Sequence, residues 1–179
     1  AWSGLVRHAN TRNGSSVTTW SPSVAASPRA VRTPAMAMHC ENETHRNIGL
    51  DTSLVLRLLT GEPEAQARCA LAEVQALIRR GAALLVSDLV VSEVYFALQY
   101  HYGVPKAEAL ALLTRLFCES GVKSLGAAGT VLAIANLATA NPCFVDRLIL
   151  TEYAQSAGEV LTFERAAGRL PGVRVLTAL

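Results

Sequence analysis

The sequence predicts an α/β domain built on a mainly parallel central sheet. From about residue 47 onward, short apolar segments with β-branched residues alternate with longer amphipathic ones. Glycine or proline punctuates most of the junctions between them. Hydrophobic residues make up 51% of the 179 and charged residues only 17%, enough for one domain with a real core.

The elements follow in order. Asn47–Asp51 reads as a short buried strand, and Ser53–Leu59 as a helix stopped by Gly61. Glu62–Arg80 is a long amphipathic helix with Pro63 in its first turn and Gly81 after its end. Ala83–Ser87 is the second strand. Ser87 or Asp88 caps a helix that runs to about Tyr102 and closes at Gly103. Pro105–Ser120 is the next helix, stopped by Gly121, and Val122–Leu125 the third strand. Thr130–Ala140 is expected as a helix ending before Pro142, and Phe144–Ala157 as one ending at Gly158. Val160–Phe163 is a strand, Glu164–Leu170 a short helix and Val173–Leu176 a final strand.

Residues 1–46 differ from the rest. They are rich in Ser, Thr, Asn, Arg, Pro and Ala, carry a net charge of +3, and show no sustained periodicity. Such a segment buries too little apolar area to offset its ordering entropy, so a disordered or non-native extension is expected there. The chain begins without Met, and Met36 or Met38 is the expected start of the functional part. Residues 47–179 carry a net charge of −1 and are not a basic nucleic-acid binder by composition. No run approaches the ~20 apolar residues that span a bilayer. Cys40, Cys69, Cys118 and Cys143 form no CxxC pair and read as reduced, structural thiols, which suits a cytoplasmic protein.

Four acids sit inside or beside apolar runs: Asp51, Glu93, Asp146 and Glu164. Unpaired, each would cost several kcal/mol on transfer scales. Ligands of open α/β sheets bind at the carboxyl ends of the strands, near a reversal of strand order. Asp51 ends the first strand and Glu164 follows the fourth. Glu93 lies one turn into the helix after the second strand, and Asp146 in a helix first turn. Clustered carboxylates repel by roughly 4 kcal/mol per pair at ~4 Å and an effective dielectric near 20. A divalent cation removes that cost. All-oxygen ligation favours Mg²⁺ or Mn²⁺, and such an ion suits phosphodiester hydrolysis.

Four segments in this order, LDTSLVLRLLTGE (50–62), VSDLVVSEVYFAL (86–98), FVDRLILTEYAQSAG (144–158) and VLTFERAAGRLPGVRVL (160–176), carry a resemblance. The chain resembles the PIN-domain ribonucleases of the VapC toxin type over about residues 47–177. The resemblance implies a PIN-like three-layer α/β/α domain over 47–179 and Mg²⁺- or Mn²⁺-dependent endoribonuclease activity. It also implies a toxin role in a toxin–antitoxin pair, a homodimer, and silencing by a cognate antitoxin protein. Asp51, Glu93 and Asp146 map to the family's metal-binding acids. Glu164 stands where the family usually has Asp, and Asn141-Pro142-Cys143 lacks an acid that many relatives carry, so one tight metal is expected. Thr52, Ser53 and Thr162 are placed to orient a water, and Arg57, Arg147 and Arg165 to meet phosphates of an RNA substrate.

Each of these residues also has a plainer reading. Asp51 alone is a helix cap, Glu93 a partner for an arginine, and Asp146 and Glu164 first-turn acids that suit the helix dipole. His39, Cys40 and His45 fit no common zinc spacing and read as tail. His101 reads as a basic residue at a helix end, and Asp88, Glu108, Glu119 and Glu152 as caps or solvated charges. Tyr95, Phe96, Tyr100 and Tyr102 read as core or dimer surface. A PIN-fold interaction module that has lost its chemistry is the alternative function. A small phosphatase is a third, disfavoured by the lack of an Asp-x-Asp pair after the first strand.

Overall fold

The computed structural model describes residues 46–177. The expected N-terminal extension, with its His39, Cys40 and His45, lies outside the described residues apart from Arg46. The described chain is α/β. Strand β1 (Asn47–Gly49) leads into helix α1 (Thr52–Thr60), and α2 (Glu64–Arg79) returns to β2 (Ala83–Val86). Helices α3 (Asp88–Tyr100) and α4 (Lys106–Glu119) follow, then β3 (Val122–Ser124) and α5 (Ala128–Leu132). After a 3-10 turn (Leu137–Thr139) come α6 (Phe144–Tyr153), β4 (Val160–Thr162), a second 3-10 segment (Arg165–Arg169) and β5 (Val173–Val175).

The first three strands form one parallel sheet in the order β1-β2-β3, with Ile48 opposite Leu84 and Leu84 opposite Val122. Strands β4 and β5 pair with each other, also in parallel, as a separate two-stranded unit. The single central sheet expected from the sequence is therefore divided among the described residues. Strand order in the larger sheet runs without reversal, so the crevice expected at such a reversal is replaced by one between helices. Leu84 and Val86 are fully buried, as suits the middle strand of a sheet.

Local chemistry explains most boundaries. Asp51 caps α1, and Gly61 closes it in the left-handed region at φ 77° with its N–H on the Arg57 carbonyl. Pro63 stands before α2 as its cap and not in its first turn. Ser87 caps α3 through the Val90 amide. Thr60 and Ser120, the buried polar side chains, return their hydroxyls to the carbonyls of Leu56 and Leu116.

The expected Thr130–Ala140 helix is shorter and earlier. It covers Ala128–Leu132, and Asn136 at φ 56° breaks the chain before the 3-10 turn. Leu137 still reaches the core, so burial was legible where helical continuity was not. Glu164 starts a 3-10 segment in place of an α-helix, and α6 ends at Tyr153, short of Ala157.

One core joins α1, α3, α4, α5 and α6 to the sheet. Val55, Leu58 and Leu59 face it from α1, Val91, Val94 and Leu98 from α3, and Leu113 and Leu116 from α4. Phe144 is completely buried and meets the Tyr95 ring edge-on, centroids 5.0 Å apart. That contact fixes α6 against α3. Truncating Phe144 to Ala would cost about 3–5 kcal/mol. Among the described residues no helix is long and apolar enough to cross a membrane.

Candidate functional site

Parallel pairing puts the carboxyl ends of β1, β2 and β3 on one edge. The Leu50 amide bonds the Leu85 carbonyl at 2.8 Å, and the Leu125 amide bonds that of Val86 at 2.8 Å. Asp51, Ser87-Asp88 and Leu125-Gly126 therefore follow the strands at the same edge. From it α1 and α3 run side by side.

Asp51 is exposed and held from two directions. Its carboxylate accepts the Leu54 amide at 2.9 Å and the Ser53 hydroxyl at 3.1 and 3.0 Å to its two oxygens. Glu93 projects from the second turn of α3, where the Thr52 hydroxyl donates to its Oε2 at 2.5 Å. Thr52 thus ties the start of α1 to α3 and brings the two acids onto one wall. That wall belongs to an open cavity of about 660 Å³, also lined by Ser53, Arg57, His101 and Tyr102. Arg57 donates its Nε to Gln66 Oε1 at 2.7 Å and an Nη to the Tyr102 hydroxyl at 3.3 Å.

The other two acids do not line this cavity. Asp146 is half-buried and accepts the Cys143 amide at 3.1 Å, which closes the first turn of α6. Glu164 is exposed and accepts the Ala166 amide at 2.9 Å, while its own amide donates to the Thr162 hydroxyl at 3.0 Å. Arg147 donates to the Pro142 carbonyl at 2.9 Å, and Arg165 is exposed. Of the residues singled out in the sequence, Asp51, Thr52, Ser53, Arg57 and Glu93 share one site. Asp146, Arg147, Thr162, Glu164 and Arg165 are not among the residues lining it.

The donor set bears on metal binding. Among the described residues no group of three or more His, Cys, Asp or Glu side chains is arranged to hold a metal ion. Asp51 and Glu93 are the two carboxylates on the lining of the cavity, and a magnesium-type ion makes a smaller demand than a full protein cage. Such an ion keeps several waters and takes one or two carboxylates together with substrate phosphates.

Sequence reasoning missed His101 and Tyr102 as cavity residues. Helical spacing was the available signal: Val90, Glu93, Ala97 and His101 all line the cavity, and they recur at three or four residues along α3. The aromatic group divides accordingly. Tyr95 is core, Phe96 and Tyr100 stack at 6.1 Å on an exposed face, and Tyr102 belongs to the cavity. Burial holds the Tyr95 hydroxyl above its ordinary pKa.

Asp88 is a cap as expected, but for another helix. Its carboxylate crosses to the start of α5 and accepts the amides of Ala127 at 2.6 Å and Ala128 at 3.0 Å. Gly126 makes room for it, since a Cβ there would fall 2.5 Å from Asp88 Oδ2. A second cavity, about 620 Å³, opens beside this cap between Leu89, Leu125 and Ile149. Cys69 and Cys118 are exposed and Cys143 half-buried, all three as free thiols. Cys69 and Cys118, read from the sequence as structural, thus lie at the surface.

No protein-family model, no curated protein and no solved structure matches this chain.

Proposed function

We propose that the chain is a metal-dependent endoribonuclease of the PIN-domain VapC type, the toxin half of a toxin–antitoxin pair. The observation that carries the reading is the Asp51–Thr52–Glu93 constellation on the wall of a cavity at the carboxyl edge of a parallel sheet. The order of the four sequence segments supports it independently. A three-layer α/β/α arrangement, a homodimer, a cognate antitoxin and a cytoplasmic site of action belong to the same proposal.

In this reading Asp51 and Glu93 hold Mg²⁺ or Mn²⁺. A divalent cation, when bound, polarises a phosphoryl oxygen and acidifies water. The chain's own part is orientation. Ser53 and the Leu54 amide fix the Asp51 carboxylate on the cavity lining, and a carboxylate has further lone pairs to offer. Thr52 fixes Glu93 in the same way. Such outer partners typically contribute 10–100-fold in metal affinity. Two carboxylates on one wall repel an RNA phosphate, and a bound cation would weaken that repulsion. Asp146 and Glu164 complete the acidic set of this proposal, and substitution tests each separately.

The second reading is an interaction module with the fold and without the chemistry. Glu164 in place of the family's usual Asp, and the lack of an acid in Asn141-Pro142-Cys143, favour it. One experiment divides the two. Purified full chain is incubated with total cellular RNA and Mn²⁺, Mg²⁺ or EDTA, beside Asp51→Ala. Discrete metal-dependent fragments absent from the variant support the ribonuclease. Metal binding without cleavage supports the module.

A further inference from the structure

We infer that Gln66 and Tyr102 clamp Arg57 into a preformed phosphate grip, which seats the nucleotide next to the one cleaved at the acidic pair. The ligand class rests on the ribonuclease reading; the grip itself rests on geometry.

Arg57 sits five residues beyond Thr52 on α1, ~7 Å along the helix, on the same cavity as Asp51 and Glu93. Its charge is permanent. Both of its hydrogen-bond partners are neutral: Gln66 Oε1 at 2.7 Å and the Tyr102 hydroxyl at 3.3 Å. Among the described residues no carboxylate lies within ion-pair distance of it. By contrast Arg68, Arg80 and Arg174 each meet a glutamate at the surface. A guanidinium has five N–H donors in a fixed fork, and these two bonds occupy two of them. The half-buried side chain is thus held in one orientation with donors and full charge left over. An anion with several oxygens satisfies both. His101, on the same lining, adds a second nitrogen donor at this end of the cavity. The arrangement places acids for a cation and a guanidinium for an anion on the lining of one cavity. Gln66 comes from α2 and Tyr102 from beyond α3, so three elements converge on one side chain.

A plainer role for Arg57 is to complement the C-terminal dipole of α1. That role needs neither clamp. The test uses the full chain and a fluorescein-labelled single-stranded RNA oligonucleotide of mixed sequence. Binding is measured in EDTA across a salt series, and cleavage kinetics in Mn²⁺. Arg57→Met is expected to reduce the slope of log affinity against log salt by about 0.7, the share of one phosphate contact on a single strand. Gln66→Ala and Tyr102→Phe are expected to raise KM about threefold to tenfold with kcat unchanged, and Arg57→Lys to restore the salt slope but not KM. Melting temperatures taken in parallel separate these effects from loss of fold. An unchanged salt slope in Arg57→Met, with wild-type cleavage intact, overturns the grip and leaves the ribonuclease reading standing. A reduced slope in a protein that cleaves nothing upholds the grip and overturns the ribonuclease. Wild-type protein that neither binds nor cleaves the RNA overturns both.

Discussion

Replacing Asp51 separates two jobs that one carboxylate performs. The side chain caps α1 through the Leu54 amide at 2.9 Å, and it faces the cavity beside Glu93. Asp51→Ala removes both functions. Loss of an N-cap oxygen costs about 1 kcal/mol, which for a domain of this size lowers Tm by roughly 3–5 °C. Asp51→Asn keeps an oxygen for the Leu54 amide, since Asn ranks with Asp at N-caps, but removes the charge a cation needs. Both variants should therefore lose cleavage by at least about a hundredfold, while only the alanine loses stability. A second signature comes from linkage. Mn²⁺ at a hundred times its dissociation constant should stabilise the wild-type chain by ~2.7 kcal/mol and leave Asp51→Asn unmoved. Thermal melts with and without Mn²⁺, beside cleavage of a labelled RNA, measure all of this. Wild-type cleavage by Asp51→Asn would refute the metal role, and an unshifted melt for metal-free Asp51→Ala would refute the capping argument.

Thr52→Val keeps side-chain volume and deletes the donor to Glu93; Mn²⁺ affinity by calorimetry should fall about 10–100-fold with little change in Tm. Gly126→Ala drives a Cβ into the Asp88 carboxylate and should cost about 1–3 kcal/mol in denaturant unfolding. Combined with Asp88→Ala the loss should be less than additive, because one substitution removes what the other displaces. The pKa of Tyr95 is raised by burial, so its contribution to stability is complete below the unfolded tyrosine pKa of ~10 and is lost as pH rises through the folded value. Above pH ~10 the unfolded chain gives up that proton first and stability falls. Tyr95→Phe should flatten this alkaline decline in urea midpoints measured between pH 8 and 11, and an unchanged decline would refute the assignment.

Punctuation residues made most of the fold legible. Gly61, Gly81, Gly103 and Gly121 all take positive φ, and each was marked in the sequence as a helix stop. The break at Asn136 is not legible, because asparagine takes the left-handed region only by context and the apolar pattern runs on to Leu137. The separation of β4 and β5 from the larger sheet is a matter of long-range pairing, which local patterns do not encode. At the site, Asp51 and Glu93 were legible because the strand ends and the helical repeat fix where they point. Asp146 and Glu164 were expected beside them on the same logic. Each also accepts a nearby amide, and neither lines the cavity; which long-range neighbours they meet is not encoded in local spacing. Helical spacing groups Tyr102 with its aromatic neighbours, whereas its position past the end of α3 gives it a different surface.

The carboxylate that spans from Asp88 to the start of α5 ties the persistence of that helix to the β2–β3 edge. Helix α5 has five residues and no side-chain cap of its own, too short to persist alone in water. Its first amides find an acceptor only once the chain ends of β2 and β3 have come side by side. Its amides should exchange with solvent as soon as the β2–β3 edge opens, well before the centre of α3 or α4 is released.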